Sequence, residues 1–183
     1  MRSFFCVVLL SLIPVVGLLS DRDQANESAS GVTPLVQTWF ERWNALDGSI
    51  ERTNAFLELY HLDAVHLTGP ASHQQGTVTF RGHDAIRKMA EDFSEANEKV
   101  IFRIDTSTSN ERSDQLFHVA SGPWDGPSAA VEYIATYTRK KDNQRFYGPG
   151  GAFFQIQDGK IRRARFYMST GELAEVEPDL PPR

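Results

Sequence analysis

The sequence predicts an α+β fold in which an antiparallel sheet curves around amphipathic helices. Three observations predict it. Apolar residues recur at helical spacing between about residues 33 and 93, they alternate from about residue 100 onwards, and turn residues separate the alternating segments. Helices that precede a run of strands are typical of the α+β class. Such a sheet buries one of its faces by wrapping around a helix.

The first helix is predicted to begin at Thr33 and Pro34, because a capping hydroxyl followed by proline is a common helix start. Its apolar stripe contains Trp39 and Trp43, and Gly48 follows its end. The two tryptophans make this helix the best candidate to fill the curved sheet. Shorter helices are predicted over residues 51–60 and 82–93.

Strands are predicted where apolar and polar side chains alternate. A short strand at 63–68 separates the second helix from the third. Later strands are predicted near residues 100–105, 115–121, 130–140, 145–157 and 160–169. Asp142-Asn143 and Asp158-Gly159 carry residues that favour tight turns, so the last three of these strands should form a meander.

Composition sets the class of protein. The chain has 183 residues, enough for one domain, and its 19 basic and 24 acidic side chains leave a net charge of −5. An apolar fraction of 40% excludes a fully disordered chain. The acidic balance argues against a nucleic-acid partner, because such proteins present a basic surface.

Residues 1–20 differ from the rest of the chain. Arg2 is followed by an apolar run to Leu19 that Asp21 ends, which is the pattern of a secretory signal peptide. We therefore expect an exported protein, periplasmic or extracellular. The alternative is an uncleaved anchor, in which case residues 1–20 are the part that contacts a membrane.

The predicted organisation has four parts. The signal peptide at 1–20 is followed by a polar, flexible leader at 21–32, a folded domain at 33–171 and an acidic, proline-rich tail at 172–183. Cleavage would remove Cys6, the only cysteine, so the mature chain would form no disulfide or thiolate metal site. The sequence also lacks a His-Glu-x-x-His motif, and neither a metal nor a cofactor is predicted.

Three motifs resemble one superfamily in their order and spacing. They are LELYHLDAVHLTGP at 57–70, TFRGHDAIRKMAEDF at 79–93 and FFQIQDGKIRRARFY at 153–167. Together they resemble the nuclear transport factor 2-like superfamily, in particular its SnoaL-like polyketide cyclase and ketosteroid isomerase branch. The resemblance covers about residues 33–170. It implies a cone-shaped, cystatin-like α+β barrel with a deep apolar pocket, and often a homodimer packed through the outer sheet face.

The isomerase branch implies three catalytic positions. Ketosteroid isomerase uses an Asp base, with a Tyr and a neutral Asp that bind the oxyanion. Alignment on the motifs puts Thr68, Trp39 and Ala152 at these positions. Threonine cannot accept a proton at neutral pH and alanine cannot donate one, although an indole N–H still donates a hydrogen bond. We therefore expect that steroid isomerase chemistry is not retained.

Strand parity predicts the residues that line the pocket. His66 points inwards together with Thr68, because their side chains lie on the same face of the strand. The predicted ligand-binding residues are Trp39, Thr68, Tyr133, Tyr137, Phe154, Phe166 and Met168. His66 is the candidate catalytic residue, because its ordinary pKa lies near physiological pH. The alternative is a buried histidine that is hydrogen-bonded to a backbone carbonyl.

Three functions remain open at this point. The first is an exported domain that binds a small hydrophobic molecule in an aromatic pocket. The second is a cofactor-free isomerase, cyclase or lyase that uses His66, so whether the protein is an enzyme is uncertain. The third is a homodimeric interaction domain without a ligand. The volume of the cavity separates the third function from the first two.

Overall fold

The computed structural model describes residues 20–70, 77–105, 118–121, 126–169 and 171–172. It confirms the predicted α+β fold, with three helices packed against a curved sheet. The helices are α1 (Ser20–Asn44), α2 (Ile50–Leu57) and α3 (Gly82–Ala96). The strands are β1 (Tyr60–Pro70), β2 (Val78–Arg81), β3 (Asn97–Ile104), β4 (His118–Ser121), β5 (Pro127–Arg139), β6 (Gln144–Gln157), β7 (Lys160–Met168) and β8 (Gly171–Glu172).

Two parts of the predicted organisation fall outside the described residues. They are nearly all of the signal peptide and all of the acidic tail beyond residue 172. The strand predicted at 115–121 is described over 118–121 only. Within the described residues, no helix is both long enough and apolar enough to cross a membrane.

The sheet is mostly antiparallel, in the order β2-β1-β7-β6-β5-β3, with β4 beside β5 and β8 beside β6. The exception is β1, which runs parallel to β7 and places Thr68 beside Phe166. The sequence predicted antiparallel pairing throughout. The difference arises because α3 separates β1 from the later strands, and a long connection can return a strand to the sheet in either direction.

Helix α1 begins at Ser20, well before the predicted start at Thr33, and Pro34 lies inside it. Val32 and Val36 are both buried in the core. Their burial favours a helix that continues past Pro34, at the cost of one backbone hydrogen bond. The helix covers residues 21–32, for which the sequence predicts a polar, flexible leader.

The stripe of α1 that faces the sheet fills it as predicted. Trp39 and Trp43 are buried, and their rings stack with centroids 5.3 Å apart. Inward-facing side chains of β5, β6 and β7 pack against this stripe, with the parity that the sequence predicts. They include Ala129, Val131, Tyr133, Ala135, Ala152, Phe154, Ala164 and Phe166.

One tight turn and one bulge set the register of the strands. Asp158 and Gly159 both have positive φ, 51° and 70°, as a two-residue hairpin between β6 and β7 requires. Lys99, with φ 52°, lies where the β3–β5 register shifts between Glu98 and Ile101. This bulge lies opposite residues 136–138 of β5, and the β5–β6 register continues past it without a shift.

Candidate ligand-binding site

A cavity of about 600 Å³ lies between the inner face of the sheet and helices α1 and α3. Val78, Asp92 and Ala96, which are exposed to solvent, form its mouth. The wall is mainly aromatic and includes Trp39, Trp43, Phe80, Phe93, Phe102, Tyr133 and Phe166. Pockets that bind small molecules typically have a volume in this range and a mainly apolar wall.

Most of the residues predicted for the pocket line this cavity. Trp39 reaches it from α1, His66 and Thr68 from β1, Tyr133 from β5, and Phe166 and Met168 from β7. His66 is 2% exposed, whereas His61 on the same strand is partly exposed and pairs with Asp63. The inward register predicted for β1 is therefore confirmed at His66 and Thr68.

Two predicted residues, Tyr137 and Phe154, do not line the cavity. Tyr137 lies behind Phe93, with ring centroids 5.5 Å apart, and stacks on Phe146 at 5.0 Å. Tyr137 therefore points inwards and packs against the core, as alternation predicts, but it lies outside the cavity wall. Phe154 is fully buried in the core beneath Trp39, at 5.9 Å. Strand alternation correctly predicted that Phe154 points inwards. It could not predict how far below the cavity wall the side chain lies.

Phe166 is the central ring of the site. Its centroid lies 4.5 Å from that of Trp39, 5.1 Å from that of His66 and 5.8 Å from that of Tyr133. The rings of His66 and Phe166 are stacked and nearly parallel, with an angle of 4° between their planes. One face of the imidazole therefore packs against Phe166. The nitrogen atoms of His66 can form hydrogen bonds only in the plane of the ring, at its edge.

A buried hydrogen-bond chain links Trp39, Tyr60 and His66. Nε1 of Trp39 donates to the Tyr60 hydroxyl at 2.7 Å, and that hydroxyl lies 2.8 Å from Nδ1 of His66. Tyr60 has no other side-chain partner among the described residues. Its single proton is therefore best placed on the bond to Nδ1, because a buried hydroxyl proton without an acceptor is costly. In this arrangement Nδ1 accepts, and Nε2 of His66 carries the ring proton.

Burial keeps both members of the Tyr60–His66 pair uncharged. It lowers the pKa of His66 from 6.5 to about 3, because the charged imidazolium loses its hydration. Burial also raises the pKa of Tyr60, against the opposing effect of the Trp39 hydrogen bond. Near neutral pH, His66 therefore offers the cavity a hydrogen-bond donor at Nε2. The acid–base role predicted for His66 needs a free basic nitrogen, which this arrangement does not supply.

The remaining polar groups of the wall are few. Burial raises the pKa of Tyr133, so its phenol stays protonated, and its hydroxyl makes a long contact of 3.4 Å with the carbonyl oxygen of Tyr167. Asp92 at the mouth binds Lys88 at 2.8 Å and 2.9 Å through its two oxygens. The interior is thus without a net charge. The described residues contain no group of three or more side chains that could hold a metal ion.

A comparison with protein families identifies the domain. The model of the SnoaL-like domain matches residues 36–164, which is well over half of the chain. The chain belongs to the SnoaL-like family. This result confirms the resemblance found in the three motifs. No curated protein matches the sequence significantly.

Solved structures share the fold of this SnoaL-like domain at low sequence identity. A putative polyketide cyclase from Xanthomonas campestris is 19% identical, with a TM-score of 0.52 over 78% of this chain and 91% of that one. SalBIII, an epoxide hydrolase/cyclase-like enzyme with a role in pyran ring formation in salinomycin, is 19% identical, with a TM-score of 0.53 over 85% of this chain and 100% of its own.

A third structure has a ketosteroid isomerase-like fold and comes from Catenulispora acidiphila, in complex with trimethylamine. It is 15% identical to this SnoaL-like domain, with a TM-score of 0.54 over 74% of this chain and 85% of that one. At these identities the comparisons show a common fold. They assign it no reaction.

Sequence reasoning missed Tyr60, which completes the site. It was assigned to the end of the second helix, whereas it is the first residue of β1. The helix ends earlier, at Leu57, and the chain turns at Glu58 and Leu59. Trp43 also lines the cavity. Its position four residues after Trp39 on the same apolar stripe was the signal for it.

Proposed function

We propose that this SnoaL-like domain binds a small, uncharged and largely apolar molecule in the cavity between the sheet and α1. The observation that carries the proposal is the cavity itself, whose volume of about 600 Å³ suits one ligand of moderate size. Its aromatic wall favours a flat molecule, because rings stack well on Trp39 and Phe166. The lack of net charge in the interior favours a neutral one.

This proposal is favoured over the two alternatives for separate reasons. A domain used only for association has no need for an open interior, and its core side chains would fill the space around Phe166. A catalytic role for His66 in proton transfer is disfavoured by its pKa of about 3 and by the tautomer that the Tyr60 hydrogen bond favours. Binding needs only the shape of the cavity and one or two polar contacts.

Titration with a naphthyl methyl ketone tests the proposal, with quenching of tryptophan fluorescence as the signal. Trp39 and Trp43 both lie in the wall, so a ligand in the cavity should quench their emission. Ala96→Phe narrows the mouth and should abolish binding. Glu95→Phe changes the adjacent, exposed position, which is outside the wall, and should not. Equal affinities for the two variants would place the ligand elsewhere.

The two histidines of β1 give a second matched pair. His66→Ala should change the affinity for the ketone more than His61→Ala, because His66 lines the cavity and His61 does not. Native mass spectrometry of protein purified from its source would then name the natural ligand class. A larger effect of His61→Ala would argue against the inner cavity as the site.

We further propose that the domain forms a homodimer through the outer face of β6 and β7. Phe153, which is 51% exposed, Arg163, Arg165 and Tyr167 surround a shallow depression of about 350 Å³ on this face. Aromatic and arginine side chains are enriched in protein interfaces. Light scattering should give the mass of a dimer at micromolar concentration, and Phe153→Glu should give a monomer. A monomeric wild type would refute the dimer.

Export is proposed from the N-terminal sequence. The apolar run between Arg2 and Asp21 has the composition of a signal peptide, and no cysteine follows it in the chain. N-terminal sequencing of protein recovered outside the cytoplasm should find a start near Asp21. Recovery of the intact N-terminus in a membrane fraction would support an anchor instead.

A further inference from the structure

The wall of the cavity contains one imidazole, that of His66, and one of its two nitrogen atoms already has a hydrogen-bond partner. His66 is 2% exposed and lines the cavity, and its Nδ1 is occupied by the Tyr60 hydroxyl at 2.8 Å. Its Nε2 has no hydrogen-bond partner in the part of the chain that the structure describes. Nε2 is not among the fully buried polar atoms without a partner, and His66 lines the cavity, so a group inside the cavity can reach this nitrogen and accept its proton.

We infer that the ligand carries a neutral carbonyl oxygen, as in a ketone, ester or lactone, and that Nε2–H of His66 donates a hydrogen bond to it. This inference rests on the proposed binding function and adds the chemical class of the ligand. Tyr60 acts as a positioning residue, because it holds the proton on the nitrogen that faces the ligand. Trp39 orients Tyr60 in turn, through its own N–H.

The hydrogen bonds from Trp39 through Tyr60 to His66 all run in one direction, from donor to acceptor. Trp39 can only donate, since an indole has no acceptor nitrogen, and it fills one acceptor site of the Tyr60 oxygen. The hydroxyl of Tyr60 in turn donates a hydrogen bond to Nδ1 of His66. Every bond points the same way, from Trp39 through Tyr60 to His66, and the last donor of the series is Nε2. An acceptor is therefore the complementary group, and a second donor would be repelled.

An anionic acceptor fits less well than a neutral carbonyl. Burial holds the pKa of His66 at about 3, so the ring brings no positive charge to balance an anion. Asp92, the charged residue of the wall, is negative and lies at the mouth beside Lys88. A neutral imidazole that donates to a carbonyl oxygen also polarises it, as the neutral histidine of triosephosphate isomerase does.

A matched pair of probes tests the inference. A naphthyl methyl ketone and its isopropenyl isostere have the same shape, but only the ketone has an acceptor oxygen. Wild-type protein should bind the ketone roughly tenfold more tightly, which corresponds to about 1.4 kcal/mol for one buried hydrogen bond. His66→Phe should bind both probes equally. The carbonyl stretch of the bound ketone should also shift to lower frequency in the wild type.

Tyr60→Phe separates positioning from packing. It keeps the ring and removes the hydroxyl, so the long-range hydrogen–nitrogen correlation spectrum of His66 should change from the Nε2–H tautomer to a mixture. The preference for the ketone should fall with it, while the isostere keeps its affinity. Tyr147→Phe, which removes a phenol outside the wall of the cavity, should alter neither quantity.

The outcomes distinguish the inference from the function on which it rests. Equal binding of both probes by the wild type, with no shift of the carbonyl stretch, overturns the carbonyl contact and leaves the apolar cavity as a binding site. Failure of both probes to bind overturns both. A wild-type spectrum in which Nδ1 carries the proton overturns the role of Tyr60.

Discussion

Tyr133 and Gly150 face each other across β5 and β6, with the end of the phenol ring at the place that a side chain of residue 150 would occupy. A β-carbon at position 150 would lie 2.5 Å from Cζ of Tyr133 and 2.5 Å from the carbonyl oxygen of Tyr167. Both distances are too short for any side chain. Glycine at this position therefore allows the phenol to lie against the sheet and leaves the cavity open.

We expect Gly150→Ala to lower the free energy of unfolding by about 2 kcal/mol, because the added methyl group clashes with a ring and with the backbone. Displacement of Tyr133 should also weaken ligand binding. Urea unfolding measures the first effect and fluorescence titration the second. The control is Gly151→Ala, whose methyl group would meet only Phe153, at 3.8 Å. A similar loss of stability in both variants would contradict the proposed contact.

Tyr60→Phe should lower the free energy of unfolding by about 2 kcal/mol, because it leaves two buried polar atoms without partners. They are Nε1 of Trp39 and Nδ1 of His66. In a double-mutant cycle with Trp39→Phe, the two changes should be coupled by about 1 kcal/mol, because they share one hydrogen bond. Strict additivity, measured by chemical denaturation, would show that the hydroxyl contributes nothing through Trp39.

Acid should destabilise the protein through His66. Because the folded pKa is about 3 and the ordinary value is 6.5, the unfolded chain binds a proton in this range that the folded protein does not. The stabilisation is complete above about pH 6.5. Below it, the free energy of unfolding falls by up to about 1.4 kcal/mol per pH unit from this residue. His66→Gln should reduce the slope between pH 6 and about pH 4; an unchanged slope would contradict the burial of a neutral imidazole.

Asn44 ties the end of α1 to the edge strand β3. Its Nδ2 donates to the carbonyl oxygen of Phe102 at 2.8 Å, and its Oδ1 accepts from the N–H of Phe102 at 2.7 Å. Asn44→Ala should lower the free energy of unfolding by about 2 kcal/mol, because both backbone groups lose their partner. Asn54→Ala removes an exposed hydrogen bond with Arg87 and should change stability little. Thermal or urea unfolding of the two variants compares them directly.

The hydrophobic pattern of the sequence determined the fold class, because burial of apolar surface depends on periodicity that can be read along the chain. The α1 stripe with Trp39 and Trp43 and the Asp158-Gly159 turn are examples. In both, residues close in sequence carry the whole signal. The inward register of His66 and Thr68 follows from the same alternation and was also predicted correctly.

Tertiary structure decided which of the inward-pointing side chains reach the cavity, because alternation along a strand does not predict this. Parity gives the face of a side chain but not its depth, so Phe154 was placed in the cavity wall although it lies in the core beneath Trp39. Tyr137 also points inwards, but it packs on Phe93 of α3 and stacks on Phe146, outside the cavity wall. Such positions depend on packing between elements that are distant in sequence, which alternation along one strand does not contain.

The chemistry of the site also arose from long-range contacts. The sequence alone identified His66 as a titratable residue on an inward face. Its state was decided by Tyr60, six residues away along β1, by Trp39 from another element, and by Phe166 across the parallel β1–β7 pair. Burial among these rings removes the hydration that a charged imidazole needs. The hydrogen-bond donor inferred at Nε2 thus depends on contacts that the sequence does not contain, and the catalytic role suggested for His66 stays a prediction.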